Sequence, residues 1–195
     1  MRTPLILASI SPRRRQLLSE RGIDFEIVPS NAPETPAPGE SPRDFAQRAA
    51  REKVVEVARR YPDRFILGAD TVVTLDGIIF GKPMDRDDAR RMLRSLSGHR
   101  HFVLTAVALR HPAGRVEELL VETEVEFREL TEEEIEDYVE GGEPFDKAGA
   151  YAIQGAAGRF VRAVRGSYSN VIGLPIEEVA LLLQARRPVQ ARVAE

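Results

Sequence analysis

The chain has 195 residues, 43% of them apolar, carries a net charge of −3 and contains no cysteine. That length suits one globular domain with an ordinary core, and the missing cysteines exclude disulfides, thiol chemistry and thiolate metal sites. The acidic balance argues against a nucleic-acid binder, no apolar run approaches the roughly 20 residues of a membrane span, and an N-terminus with its arginines after the apolar run reverses a secretory signal, so a cytoplasmic protein is expected.

In chain order, Pro4–Ser9 reads as a buried strand. Ser11-Pro12 is an N-cap followed by a first helical residue, opening a helix to about Arg21. Asp24–Val28 is a second strand, and Pro29–Glu40 a proline-crowded irregular loop. Ser41-Pro42 repeats the cap, with Asp44 three residues on, for a helix to about Arg60. Phe65–Leu75 and Ile78–Phe80 form a hairpin around Asp76-Gly77. Asp85 to Leu96 is helical. Arg100–Arg110 and Val116–Phe127 are long strands joined through His111-Pro112-Ala113-Gly114. Thr131 and Glu134 make a capping box for a helix to Val139. Gly141–Gly166 is glycine-rich with short strands inside it, and Pro175–Arg187 is the last helix. Residues 1–187 are expected to form one domain of two lobes around a cleft, and 188–195 a loose tail. Alternating helices and strands with antiparallel hairpins give an α/β class.

Of the 28 basic residues only Lys53, Lys82 and Lys147 are lysine. In so arginine-rich a chain, each is either a chance survivor or a place where a compact ammonium on a thin stem is needed. Lys53 interrupts the apolar stripe Phe45, Ala49, Val57 of its helix; it either snorkels to the rim or reaches a cleft. Lys82 sits in the Gly81-Lys82-Pro83 turn, by itself an ordinary solvated position.

Three arginines crowd the first turn of the first helix, where the helix dipole disfavours cations. A bound phosphate would reverse that, held by free backbone N–H groups, the Ser9 and Ser11 hydroxyls and arginine. Arg13 is expected in that cradle, and Arg14 and Arg15 to point outward. Asp70 lies within an apolar strand, Ile66-Leu67-Gly68-Ala69-Asp70-Thr71. A buried carboxylate needs a partner or a wet cleft, and one so placed can bind Mg²⁺ or accept a proton from water. The segment Gly141–Gly155 combines close-approach glycines and alanines with Asp146, Lys147, the flat face of Tyr151 and the amide of Gln154. Such a set suits either base and phosphate recognition or a surface loop. His99, His101 and His111 read as solvent-exposed and make no metal site.

Leu7-Ala8-Ser9-x-Ser11-Pro12-Arg13-Arg14, Gly68-Ala69-Asp70-Thr71-Val72-Val73, Gly81-Lys82-Pro83, Glu143-Pro144-x-Asp146-Lys147-Ala148-Gly149-Ala150-Tyr151-x-Ile153-Gln154-Gly155 and Gly166-Ser167-Tyr168-x-x-Val171-x-Gly173-Leu174-Pro175 closely resemble the Maf family of nucleoside triphosphate pyrophosphatases, named for an effect on septum formation. The resemblance implies an elongated mixed β-sheet flanked by helices with a central cleft, similar to inosine-triphosphatase (Ham-type) proteins. It also implies homodimers and a divalent metal, Mg²⁺ first, with Mn²⁺ or Co²⁺ as alternatives. The catalytic acid falls on Asp70, and phosphate binding on Ser9, Arg13, Lys53, Lys82 and Lys147. Substrate specificity falls on Arg13, Thr71 and Gln154, the pattern of the dTTP/UTP branch. Gln154 can both donate to and accept from a pyrimidine edge, which extends to modified pyrimidine triphosphates. The family usually carries paired acids in the loop after the second strand; here Glu34 alone remains, as a metal ligand beside Asp70. The reading from another class is a nucleotide-sensing, non-catalytic regulator of septum formation.

Overall fold

The computed structural model describes residues 4–184. The expected final-helix residues 185–187 and the tail 188–195 lie outside them. The strands are β1 (Leu5–Leu7), β2 (Phe25–Ile27), β3 (Ile66–Leu75), β4 (Ile78–Phe80), β5 (Arg100–Arg110), β6 (Val116–Phe127) and β7 (Val161–Arg165). The helices are α1 (Pro12–Glu20), α2 (Pro42–Ala58), α3 (Arg86–Leu96), α4 (Glu132–Glu140), α5 (Tyr168–Ile172) and α6 (Ile176–Gln184). Together the strands form one seven-stranded mixed sheet in the order β2-β1-β3-β5-β6-β7, with β4 added to β3. The α/β expectation holds.

Local chemistry sets most boundaries. Ser11 Oγ accepts from the Arg14 N–H and Pro12 fills the first helical position of α1,. Ser41 does the same for α2 through the Asp44 N–H, and Thr131 with Glu134 completes the capping box of α4,. Short strands expected in the glycine-rich stretch reduce to β7. The rest is three 3₁₀ turns, at Glu143–Asp146, Ala148–Ala150 and Ala156–Phe160, because close packing replaces a sheet partner there. Helix α5 was not expected from the sequence; five residues carry too little periodicity to show it.

Strand alternation divides the core. Ile66, Val72, Leu104, Ala106 and Ala108 meet Ala46, Ala49, Ala50, Val54 and Val57 of α2 on one face. Leu67, Ala69, Val107 and Leu109 meet Leu17 and Leu18 of α1, Ile172 of α5 and Val179 of α6 on the other. A third cluster, at the far end of β3, gathers Leu93 and Leu96 of α3 with Tyr138, Phe127 and Phe160.

One edge of β3 decides where the cleft lies. Strand β5 pairs with β3 from Ile66 to Thr74. On the opposite edge β1 pairs only with Ile66 and Leu67, and β4 only with Val73 to Leu75. Gly68 to Val72 is therefore open on that edge. The side chains of Asp70 and Thr71 flank this gap, Asp70 toward α2 and Thr71 toward α1 and α5.

Gly68 makes the close approach of α2 possible. A Cβ there would come 2.8 Å from Val54 Cγ1 and 2.9 Å from the Ala50 carbonyl. Overpacking of this kind costs ~1–3 kcal/mol. Gly68→Ala is expected to lower the urea midpoint of unfolding accordingly; an unchanged midpoint would show that α2 gives way freely.

Candidate active site

The open stretch of β3 forms the floor of a cleft of about 790 Å³, within the range of small-ligand sites. Ser9, Arg13, Arg14, Glu34, Lys53, Asp70, Thr71, Lys82, Lys147 and Gln154 all line it. Residues scattered from the first strand to the glycine-rich segment are thus brought together.

Asp70 is buried mid-strand, 7% exposed, and Lys53 on α2 is 4% exposed. The Lys53 Nζ donates to Asp70 Oδ1 at 2.6 Å and to the Ala69 carbonyl at 3.3 Å. It also lies 2.6 Å from Glu34 Oε1. Lys53 therefore reaches the cleft rather than snorkelling, and one ammonium bridges two carboxylates. Lys82 completes the row, 3.3 Å from Glu34 Oε2. Burial works to raise the Glu34 pKa, but Lys53 and Lys82 prevail and hold it at about 2,. Among the described residues Asp70 Oδ2 has no hydrogen-bond partner, so it is the oxygen left for a ligand.

Glu34 is placed by charge on α2. The Arg48 guanidinium donates to Glu40 Oε1 at 2.6 Å and to the Thr35 carbonyl at 3.0 Å. Glu56 accepts from the Asn31 N–H at 3.1 Å, and Arg60 donates to the Pro29 carbonyl at 2.8 Å. Positions 48, 52 and 56 form one ridge of α2, Arg60 follows just past its end, and the proline-rich loop is laced along them. The charged residues four apart, Arg48, Glu52, Glu56 and Arg60, were the signal available in the sequence.

Arg14 contradicts its sequence reading. It does not point outward: it is 8% exposed, with Nε donating to the Gly173 carbonyl at 2.8 Å. Its Nη2 donates to Thr71 Oγ1 at 3.1 Å and Nη1 to Ser9 Oγ at 3.3 Å. Burial pushes its pKa down, and Asp70 and Glu34 oppose that shift. Position 14 lies three residues after the cap, on the face of α1 that turns inward with Leu17 and Leu18. Arg13 lines the cleft from its rim, and Arg15 is exposed as expected.

The segment after α4 closes the cleft's far side. Glu143 pins it, accepting from the Ala156 N–H and the Tyr138 hydroxyl at 3.0 Å each. Gly149, at φ +69, packs on Val73, where any Cβ would sit 2.9 Å from Cγ1,. Its N–H donates to the Gly81 carbonyl at 3.0 Å, and this bond carries Lys82 to the cleft. Lys147 Nζ donates to the Glu143 carbonyl at 2.6 Å and to Asp146 Oδ1 at 2.5 Å. Gln154 is exposed on the rim.

Two aromatic expectations are corrected. Tyr151 offers little free face: it is 6% exposed and stacks edge-on with Phe127 and His101. His101 is not exposed but fully buried, its Nε2 2.8 Å from the Tyr151 hydroxyl. Burial pushes its pKa down to about 4, which keeps it neutral. Period-2 alternation puts every second residue of β5 inward, and His101 shares that face with Val103.

A family model described as Maf-like protein matches residues 4–186. A protein of Anaeromyxobacter dehalogenans strain 2CP-1, named dTTP/UTP pyrophosphatase, is 55% identical over 183 residues, 92% of each chain. Its counterpart in strain 2CP-C, of the same name, is 53% identical, again over 92% of each chain. Among solved structures, a HAM1 protein from Coxiella burnetii aligns with 94% of this chain and all of its own, at a TM-score of 0.52 and 15% identity. That likeness concerns the fold. No helix among the described residues is long and apolar enough to cross a membrane.

The depressed Glu34 pKa has a consequence for stability. A folded-state pKa of about 2 against an ordinary 4.5 contributes stability that is fully present above the ordinary value and is lost as pH falls toward the folded one. Denaturant unfolding of wild type and Glu34→Gln should show a stability gap that holds from roughly pH 7 to 5 and narrows below it. A gap constant down to about pH 3 would mean that the lysines do not hold the carboxyl down.

Proposed function

This chain belongs to the Maf family, and we propose that it hydrolyses dTTP and UTP to the monophosphate and pyrophosphate, acting in the cytoplasm as the homodimer its motifs imply. One observation carries the reading. The Lys53-bridged pair of Asp70 and Glu34 sits in a cleft with Lys82, Lys147 and Arg13, on the positions of the family's motifs. A polyanion needs several cations in one concave site, and an acid nearby to handle a proton.

In the proposed reaction a water oxygen bonds to the α-phosphorus. Its proton passes to Asp70 Oδ2, the α–β bridging P–O bond breaks, and pyrophosphate leaves. Lys53, Lys82, Arg13 and Lys147 neutralise the phosphate oxygens, the source of most catalysis in phosphoryl transfer. Ser9 completes the phosphate cradle at the start of α1. Asp70 and Glu34 suit a hard cation that takes one or two carboxylates together with substrate phosphates. Mg²⁺ held by them would polarise the phosphate and lower the pKa of water.

The two halves of the cleft divide the work. Lys82, Glu34, Lys53 and Asp70 cluster on the α2 side of β3, whereas Thr71, Gly173 and Ile153 line the other side, where the Arg14 guanidinium is taken up by hydrogen bonds to Thr71, Gly173 and Ser9. The base therefore belongs beside Thr71, with Gln154 and Arg13 at the rim completing its selection.

The test is product analysis with Mg²⁺ and a panel of dTTP, UTP, CTP, GTP and 7-methyl-GTP. Monophosphate and pyrophosphate in equal amounts, fastest from dTTP and UTP, are expected. Diphosphate with phosphate would mean the wrong phosphorus is attacked, and binding without turnover would favour the sensor. Asp70→Asn should cost ~10²-fold or more in kcat while folding normally, since Lys53 keeps Glu34 as a partner. Near-normal turnover would remove Asp70 as the base.

A further inference from the structure

Thr71 is tied to the buried Thr105 hydroxyl and, through it, to the Asn170 carbonyl. Thr105, its cross-strand partner on β5, is fully buried. Its hydroxyl lies 3.1 Å from the Asn170 carbonyl, an acceptor for its single proton. With its proton on that carbonyl, Thr105 accepts toward Thr71, 3.0 Å away, and the Thr71 hydroxyl donates. The alternative acceptor for that proton is the Gly173 carbonyl at 3.4 Å. Arg14 Nη2 meanwhile donates to Thr71 Oγ1 at 3.1 Å, which excludes a proton pointed at Arg14. A hydroxyl has one proton and two lone pairs. Thr71 spends the proton inward and one lone pair on Arg14, and one lone pair remains for the cleft.

We propose that Thr105 and Arg14 are positioning residues that make Thr71 an obligate hydrogen-bond acceptor, so that the site selects bases carrying a ring N–H. Uracil and thymine offer N3–H; cytosine has a bare acceptor nitrogen there and would face lone pair against lone pair. The inference rests on the reading above that the base lies beside Thr71. Thr105 itself touches no substrate: its effect is exerted through the Thr71 proton. An uncompensated acceptor pair in a site that excludes water is worth about tenfold or more in discrimination.

The experiment compares kcat/KM for UTP and CTP, and binding of UMP and CMP by calorimetry, in wild type, Thr105→Val and Thr105→Ser. Wild type should favour uridine over cytidine nucleotides. Thr105→Val removes the nearer proton acceptor, frees the Thr71 hydroxyl to turn outward, and should lower the UTP:CTP ratio about fivefold or more, chiefly by improving CTP. Thr105→Ser restores the hydroxyl and should restore the ratio. N3-methyl-UTP, which lacks the donor, should react with the unaltered protein about tenfold more slowly than UTP, and this holds even if Thr105→Val does not fold. Equal rates for UTP and N3-methyl-UTP, a ratio unmoved in folded Thr105→Val, or a ratio equally lost in Thr105→Ser would each overturn the proposal. Wild type that binds UMP over CMP without hydrolysing UTP would end the pyrophosphatase reading and leave the proton assignment standing. Turnover of UTP and CTP at equal rates would do the reverse.

Discussion

A carboxylate inside an apolar strand is the constraint around which the cleft is organised. Asp70 cannot be buried alone at a tolerable cost, and Lys53 cannot either. Each is placed where the other can reach it, from β3 and from α2, at 2.6 Å. That contact requires α2 to lie almost on the strand, which Gly68 permits. It leaves the ammonium with capacity to spare, and Glu34 takes it up. A buried ion pair contributes little net stability compared with well-packed apolar groups; its retention here accords with a role in chemistry.

Sheet topology turns that pair into a site. Because β1 leaves β3 after Leu67 and β4 joins only at Val73, a stretch of strand edge is left bare. Side chains that alternate to opposite faces can then border one cleft. Asp70 brings the charge of the α2 side, and Thr71 the hydroxyl network of the α1 and α5 side. The same alternation that separates two hydrophobic layers elsewhere separates the ionic cluster at Asp70 from the hydroxyl network at Thr71 here.

The surrounding segments hold this arrangement by different means. The proline-rich loop, which has no sheet partner, is fastened by Arg48 and Glu56 of α2 and by Arg60 just past its end. The glycine-rich segment is fastened by Glu143 from within and by Gly149 against Val73 and Gly81. Backbone carbonyls and N–H groups are the anchoring points in both, as irregular chain must satisfy them somewhere.

Residue patterns along the chain were enough for the class of the fold and nearly every strand and helix, and they pointed to most of the residues that line the cleft. Periodicity, caps and turn residues are local signals; Lys53 and Asp70 stood out against apolar neighbours, and Lys82 and Lys147 as rare lysines in an arginine-rich chain. Contacts between residues distant in sequence had no such signal. Only the folded chain shows that Arg14 rather than its neighbours turns inward, as its partners Thr71 and Gly173 lie 57 and 159 residues away. Only it shows that His101 is buried under Tyr151, 50 residues on, and that the lone acid Glu34 returns to Lys53. Packing across the sheet decides these, because a polar side chain goes wherever its hydrogen bonds are met, and the groups that meet them are assembled by the topology.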